Sequence, residues 1–224
     1  MTQTASAGAD KGQPEAMVVV AHPDPTSLNH ALAHAVVDAL IEAGLKPTLF
    51  DLHAEGFDPI LTLAEARGAA CDDGHVQHHI RALKRASLLA VVHPICWGAP
   101  PAMMKGWMDR VFAPGAAYAF SKGVDAGDTP LGLLGVKSAL VINTSNTSEQ
   151  RETNVFGDPL ARIWRDCLLG YCGVARTLRR VFRVVATSTA DQRATWIAEA
   201  RELAAAAARP VVAEPTPDHS PGRL

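Results

Sequence analysis

Three short stretches carry the residue types that hold and react with small polar ligands. The first is His22-Pro23-Asp24-Pro25-Thr26-Ser27-Leu28-Asn29. It lacks the glycines of a dinucleotide fingerprint or a P-loop. It places Thr26, Ser27 and Asn29 where a helix begins, and hydroxyls with free backbone N–H groups at a helix N-terminus suit a phosphate or diphosphate. The same serine also suits plain helix capping. The second stretch is His93-Pro94-Ile95-Cys96-Trp97-Gly98-Ala99-Pro100-Pro101, stiffened by three prolines. Its main chain can meet the polar edge of a flat ring at little ordering cost, and Trp97 offers a large face for stacking; a core tryptophan in a turn is the alternative. The third, Asn143-Thr144-Ser145-Asn146-Thr147-Ser148, is a run of small hydrogen-bonding residues that suits either a polar ligand edge or a solvated turn.

Other clusters are weaker. His75 and His79 stand four apart, a spacing that can ligate metal from one helix face, but no third ligand has a matching register, and the reading is an ordinary helix face with no metal. Cys167 and Cys172 read as small hydrophobes at a helix end rather than a redox pair. Arg176, Arg179, Arg180 and Arg183 suit either an adenylate or 2′-phosphate, or a strand edge with ion pairs. Ser145 has no His and Asp around a nucleophile elbow, so a hydrolase triad has no support there.

The elements that must position these stretches alternate. Strands are expected at 17–21, 48–52, 87–92, 136–143 and 181–186. Helices are expected at about 27–42, 73–85, 101–112, 158–169 and 191–208. The β-branched apolar runs suit strands buried on both faces, and Gly44 closes the first helix. Strand–helix alternation without repeat or linker implies a doubly wound α/β domain, a five-stranded parallel sheet with helices on both faces. Ligands of such sheets lie at the carboxyl ends of the strands, where the three stretches converge. Residues 1–15 read as a flexible tail, 16–208 as one domain, and 209–224, with four prolines, as a second tail.

Composition narrows the class. With 224 residues, 48% hydrophobic and 20% charged, the chain can bury a large core. A net charge of -2 gives no basic excess for nucleic acid. No apolar run is long enough to span a membrane. The first residues lack a secretory h-region, and four cysteines without a CxxC pair read as reduced thiols, so the expected location is the cytoplasm.

The stretches AHPDPTSLN (21–29), HPICWGAPPAMMKGWMDRVF (93–112) and AAYAF (116–120) resemble the flavodoxin-like NAD(P)H:quinone oxidoreductases, the DT-diaphorase group with its modulator-of-drug-activity and potassium-efflux ancillary relatives. The resemblance implies the flavodoxin-like strand order 2-1-3-4-5, a homodimer with FAD, or alternatively FMN, at the interface, and NADH or NADPH as electron donor. His22, Thr26, Ser27, Leu28 and Asn29 would hold the phosphate side of the flavin. Pro94, Ile95, Cys96, Trp97 and Gly98 would line its ring, and Asn143, Thr144, Ser145 and Asn146 its pyrimidine edge. Tyr118 and Phe120 would wall the substrate pocket of the partner chain, with Phe156 nearby. It also implies a ping-pong hydride transfer through flavin N5 to a quinone-like or other electron-poor small molecule. The alternative is an ancillary flavoprotein docked on a partner, with weak reductase activity.

The chain departs from that pattern at informative places. Ser145-Asn146 replaces a glycine pair, Gly98 replaces a bulky aromatic, and residues 149–158 lack the family's charge-stabilising tyrosine and histidine. Main-chain groups near Thr144, together with Arg151, are left to stabilise negative charge on the ring.

Overall fold

The computed structural model describes residues 12–120 and 130–213. The sheet strands are β1 (Glu15–Val20), β2 (Lys46–Asp51), β3 (Leu88–Pro94), β6 (Ser138–Ser145) and β7 (Thr177–Arg183). They are all parallel, in the order β2-β1-β3-β6-β7. Counted along the chain within the sheet, this is the expected 2-1-3-4-5. The short strands β4 (Tyr118–Ala119) and β5 (Leu131–Gly132) pair with each other in a separate antiparallel ribbon.

Period-two alternation splits the core into two layers. Met17, Val19, Leu89, Val91, Ala139 and Val141 face one side and pack with Trp107 and Trp164. Val18, Val20, Leu88, Ala90, Leu140 and Ile142 face the other, against α1 (Leu28–Glu42) and α7 (Ala190–Val212). The first layer is covered by α3 (Gly74–Arg85), α4 (Ala102–Val111) and the π-helical segment Ile163–Gly170. Gly106 lets α4 lie close to the chain beneath it: a Cβ there would stand 2.2 Å from the Pro59 carbonyl oxygen.

Several expectations are corrected. The last helix does not stop at 208. It continues through Pro210 to Val212, because Ala204, Ala207, Ala208 and Val211 remain buried against the sheet. Residues 214–224 of the expected tail, and 1–11 of the first, lie outside the described residues; Glu15 already belongs to β1. The helix expected at 158–169 is one α turn, α6 (Pro159–Arg162), followed by the wider π segment. Short helices α2 (Leu63–Ala66) and α5 (Glu149–Asn154) were not legible as periodic patterns. Two strands reach further toward the site than hydropathy implied: β3 includes His93 and Pro94, and β6, expected to end at Asn143, includes Thr144 and Ser145; the last strand, expected at 181–186, instead runs from Thr177 to Arg183.

Polar side chains extend those strands because they form a buried chain. Arg179 Nε donates to Asn143 Oδ1 at 2.9 Å, and Arg179 Nη1 reaches Asp158 Oδ2 at 2.7 Å. Arginine only donates, so Asn143 must turn its oxygen to Arg179 and its amide hydrogens to His93. Asn143 Nδ2 lies 3.1 Å from His93 Nε2, and the Trp164 indole donates to the same nitrogen at 3.0 Å. His93 Nε2 is therefore the acceptor, and Nδ1 carries the hydrogen given to the Pro94 carbonyl at 2.8 Å. Burial holds the His93 pKa well below the ordinary 6.5, at about 4, with the Arg179 charge acting in the same direction against the Pro94 bond.

Two outcomes follow. Asn143→Leu leaves the buried Arg179 Nε–H without its acceptor, while His93 Nε2 keeps the Trp164 indole, and should destabilise the fold by about 2–4 kcal/mol in denaturant titrations. His93 stays neutral when folded, whereas the unfolded chain takes up its proton as pH falls through 6.5. Stability should therefore be complete above pH 6.5 and decline toward pH 4, by up to about 1.4 kcal/mol per pH unit from this group. His93→Gln should flatten that part of the profile.

Candidate active site

The carboxyl edge of the sheet carries two cavities. The first, about 550 Å³, is lined by His22, Asp24, Thr26, Ser27, Leu28, Asn29, Pro94, Ile95, Thr144, Ser145, Asn146, Thr147, Val185 and Arg193. The second, about 650 Å³, is lined by Ile95, Trp97, Gly98, Thr147, Arg151, Glu152, Phe156 and Pro159. They share Ile95 and Thr147. The three sequence stretches thus meet at one place.

The first cavity surrounds the start of α1. Ser27 caps that helix, and the N–H groups of Leu28 and Asn29, its first two residues, have no carbonyl one turn back. Those donors and the positive end of the helix suit a phosphate oxygen. The hydroxyls are arranged differently from the sequence expectation. Thr26 Oγ1 donates to Asp24 Oδ1 at 2.7 Å, and Ser27 Oγ lies 2.9 Å from His30 Nδ1. Thr144 Oγ1 donates to Asn29 Oδ1 at 3.1 Å, which turns the Asn29 amide hydrogens away from Thr144. Thr144 thus acts by orienting Asn29. Asn143, expected on the ligand edge, lines neither cavity and is fully buried in the His93–Arg179 chain.

The second cavity is the more apolar of the two. Cys96 and Ala99 exchange backbone hydrogen bonds at 2.9 and 3.0 Å, closing a tight turn with Trp97 at φ 53 and Gly98 at φ 73. Two successive positive φ values are the geometry of a type I′ turn, and they are costly for tryptophan. The Trp97 side chain is wholly exposed, which excludes the core-tryptophan reading. Arg151 stands over the Phe156 ring, 5.4 Å from its centroid. Glu152 is 1% exposed, and its Oε1 has no hydrogen-bond partner among the described residues.

Val185, Arg193 and Glu152 are site residues that the sequence did not signal. Val185 follows the last strand, Arg193 comes from α7, and Glu152 reads as helix surface. Arg193 is braced by Ser188 Oγ at 2.8 Å. Two of the four arginines that were candidates for an adenylate are otherwise engaged. Arg179 is drawn inward, and Arg180 pairs with Glu199 at 2.6 Å. Tyr118 and Phe120 stack edge-on at 5.8 Å and line neither cavity of their own chain.

His75 and His79 do acquire a third neighbour, Glu55, at 3.1 and 2.9 Å. The Trp107 indole donates to His79 Nδ1 at 3.1 Å, so the ring hydrogen must sit on Nε2, where it is given to Glu55. A metal on that nitrogen would have to displace this hydrogen and break the tryptophan bond. The trio is wired as a hydrogen-bonded knot behind β2.

Gly98 makes a direct test of the turn. A Cβ there would lie 3.0 Å from Pro159 Cγ and would occupy a left-handed conformation. Gly98→Ala should cost about 1–2 kcal/mol of stability, read by thermal melting, and should narrow the second cavity.

Comparison with known proteins places the fold in a family. Residues 15–207 match the family model described as a flavodoxin-like fold. NAD(P)H dehydrogenase (quinone) 1 of Cavia porcellus is 28% identical over 180 residues, covering 70% of this chain; the chain spans 64% of that relative's length. Ribosyldihydronicotinamide dehydrogenase (quinone) of Pongo abelii is 31% identical over 180 residues, covering 70% of this chain and 76% of the relative. The structure of an NAD(P)H:quinone oxidoreductase from Methanothermobacter marburgensis superposes with a TM-score of 0.73 at 22% identity, covering 91% of this chain and 100% of the other, a likeness of fold. The chain belongs to the flavodoxin-like family of NAD(P)H:quinone oxidoreductases.

Proposed function

We propose that this chain is a flavin-dependent NAD(P)H oxidoreductase that reduces quinones or similar electron-poor small molecules. The observation that carries the reading is the pair of cavities joined at Ile95 and Thr147. One is polar and seated on a helix N-terminus; the other is apolar and faced by an exposed tryptophan on a strained turn.

The residues fit such a cofactor. Leu28 and Asn29 N–H groups would take its phosphate. The main chain of Ile95, Cys96 and Trp97 would border its ring, and Ser145 and Asn146 its polar edge. Val185 and Arg193 extend the first cavity beyond the helix N-terminus, which favours the longer FAD over FMN. When bound, the flavin supplies two-electron chemistry, accepting hydride from reduced nicotinamide and delivering it to the acceptor. Donor and acceptor would use the same open face in turn, giving ping-pong kinetics.

The chain's own residues supply charge and protons. Arg151, on the wall of the second cavity, stabilises negative charge developing there. Quinone reduction consumes a proton along with the hydride, and Glu152 is the unpartnered buried carboxyl on that wall able to pass one. Tyr118 and Phe120 would complete the pocket of a second copy, so the working unit is a homodimer. The second reading, an ancillary flavoprotein with weak activity, is favoured by the absence of tyrosine and histidine from 149–158.

Rapid-mixing kinetics with NADH, NADPH and a panel of quinones tests the proposal. The two half-reactions should be separable. Arg151→Ala should slow flavin reduction about tenfold or more. Glu152→Gln should slow the acceptor half-reaction and leave the nicotinamide half-reaction nearly unchanged. A flavin-loaded protein that turns over neither nicotinamide with any quinone would favour the ancillary reading.

A further inference from the structure

Behind the first cavity lies a chain of three side chains that flavin binding alone does not explain. Asp51 Oδ2 is 2.9 Å from His30 Nε2, and His30 Nδ1 is 2.9 Å from Ser27 Oγ. His30 is 5% exposed and lines neither cavity, whereas Ser27 lines the first. Burial raises the Asp51 carboxyl, but the Ala54 N–H, His30 and the His53 N–H outweigh it and hold its pKa below the ordinary carboxylate value. Asp51 is thus an anion and an acceptor, so His30 Nε2 always carries a hydrogen.

The state of His30 Nδ1 then decides what Ser27 can do. When the ring is neutral, Nδ1 accepts, and the Ser27 hydroxyl must give it its hydrogen. Ser27 Oγ already accepts from the His30 backbone N–H at 3.4 Å, so it then turns its remaining lone pair toward the cavity, where it repels an oxyanion. When the ring is protonated, Nδ1 donates to Ser27 Oγ, and the hydroxyl hydrogen is free to enter the cavity. Thr26 offers no substitute, since its hydroxyl is held by Asp24, whose carboxylate also lines the cavity.

We propose that Asp51, His30 and Ser27 form a proton relay that turns Ser27 from acceptor to donor, so that a phosphate- or sulfate-type anion enters the first cavity with one proton taken up at His30 Nδ1. The natural anion, a flavin's phosphate group, rests on the function proposed above; the relay itself does not. The proton comes from solvent, and no bond to carbon or phosphorus changes. The β1–α1 loop presents to His30 the His22 ring, edge-on at 6.4 Å, and Asp24. β2 presents Asp51, with Glu55 accepting from its backbone N–H at 2.9 Å. Thr144 of β6 and Asn29 of α1 are neutral. From α7, Arg193 lines the cavity, and Arg201 is paired with Asp38 and Glu42 farther along α1.

The test uses the whole chain freed of cofactor. Inorganic sulfate has no proton to exchange near neutral pH, so titrating it into ¹⁵N-histidine-labelled protein isolates the relay. His30 Nδ1 should move from the unprotonated to the protonated range as sulfate binds. FAD, whose diphosphate bridge also does not titrate there, should bind with uptake of about one proton, read by calorimetry in buffers of different ionisation enthalpy. Its affinity should fall about tenfold per pH unit as pH rises where free His30 is neutral, and less than about twofold in His30→Gln. Sulfate binding that leaves Nδ1 unprotonated, or FAD binding without proton uptake, overturns the relay. FAD failing to bind while sulfate protonates His30 leaves the relay standing and overturns the flavin reading. Failure of both ligands to bind overturns both.

Discussion

Arg179 can donate hydrogen bonds but cannot accept them, and from that constraint the working edge of the sheet follows. Its guanidinium fixes the Asn143 amide, which fixes the His93 tautomer, which commits the His93 Nδ1 hydrogen to the Pro94 carbonyl. Three neighbouring strands are locked in register at their carboxyl ends: His93 lies opposite Asn143, and Asn143 opposite Val181, two residues past Arg179. A slip of one residue would turn every one of these side chains to the other face. Pro94 and Ile95, the residues at which the chain leaves β3 for the cavities, are placed by that lock. Asp158, at the other end of the chain, caps α6 and sets the approach of Pro159 to Gly98. The second cavity therefore takes its shape from a network that never touches it.

The first cavity follows a complementary logic. Three of the five hydroxyls lining it already give their hydrogens to a neighbour: Thr26 to Asp24, Thr144 to Asn29, and Ser27 to His30 when that ring is neutral. What remains is the helix N-terminus, the freed amide of Asn29 and the hydroxyls of Ser145 and Thr147. Such prearranged donors lower the ordering cost of binding. They also make the site sensitive to any group that redistributes a proton.

Much of this was legible from residues, and the limits have physical causes. The alternating β-branched runs specify a buried parallel sheet with right-handed crossovers, while the order 2-1-3-4-5 came with the flavodoxin-like resemblance of the loops. The strand ends at His93–Pro94 and at Thr144–Ser145 were not visible in hydropathy because polar residues extend them through hydrogen bonds made only in three dimensions. Helix α5 hid in the polar run EQRETN, which has no apolar stripe. Pro210 read as a stop, yet sheet packing of Ala207, Ala208 and Val211 carries α7 past it. At the site, Ser27, Ile95 and Trp97 were found from their loops. Glu152, Val185, Arg193 and the His30–Asp51 pair were not, since each becomes informative through a neighbour distant in sequence.

The central claim is that these joined cavities hold one flavin. The most direct measurement is the visible absorbance of the purified chain, with the cofactor released by denaturation, identified by mass and counted against protein. A yellow protein with about one flavin per chain, or a colourless one that takes up FAD or FMN to that ratio, is the predicted result. A colourless protein that takes up neither flavin would contradict it.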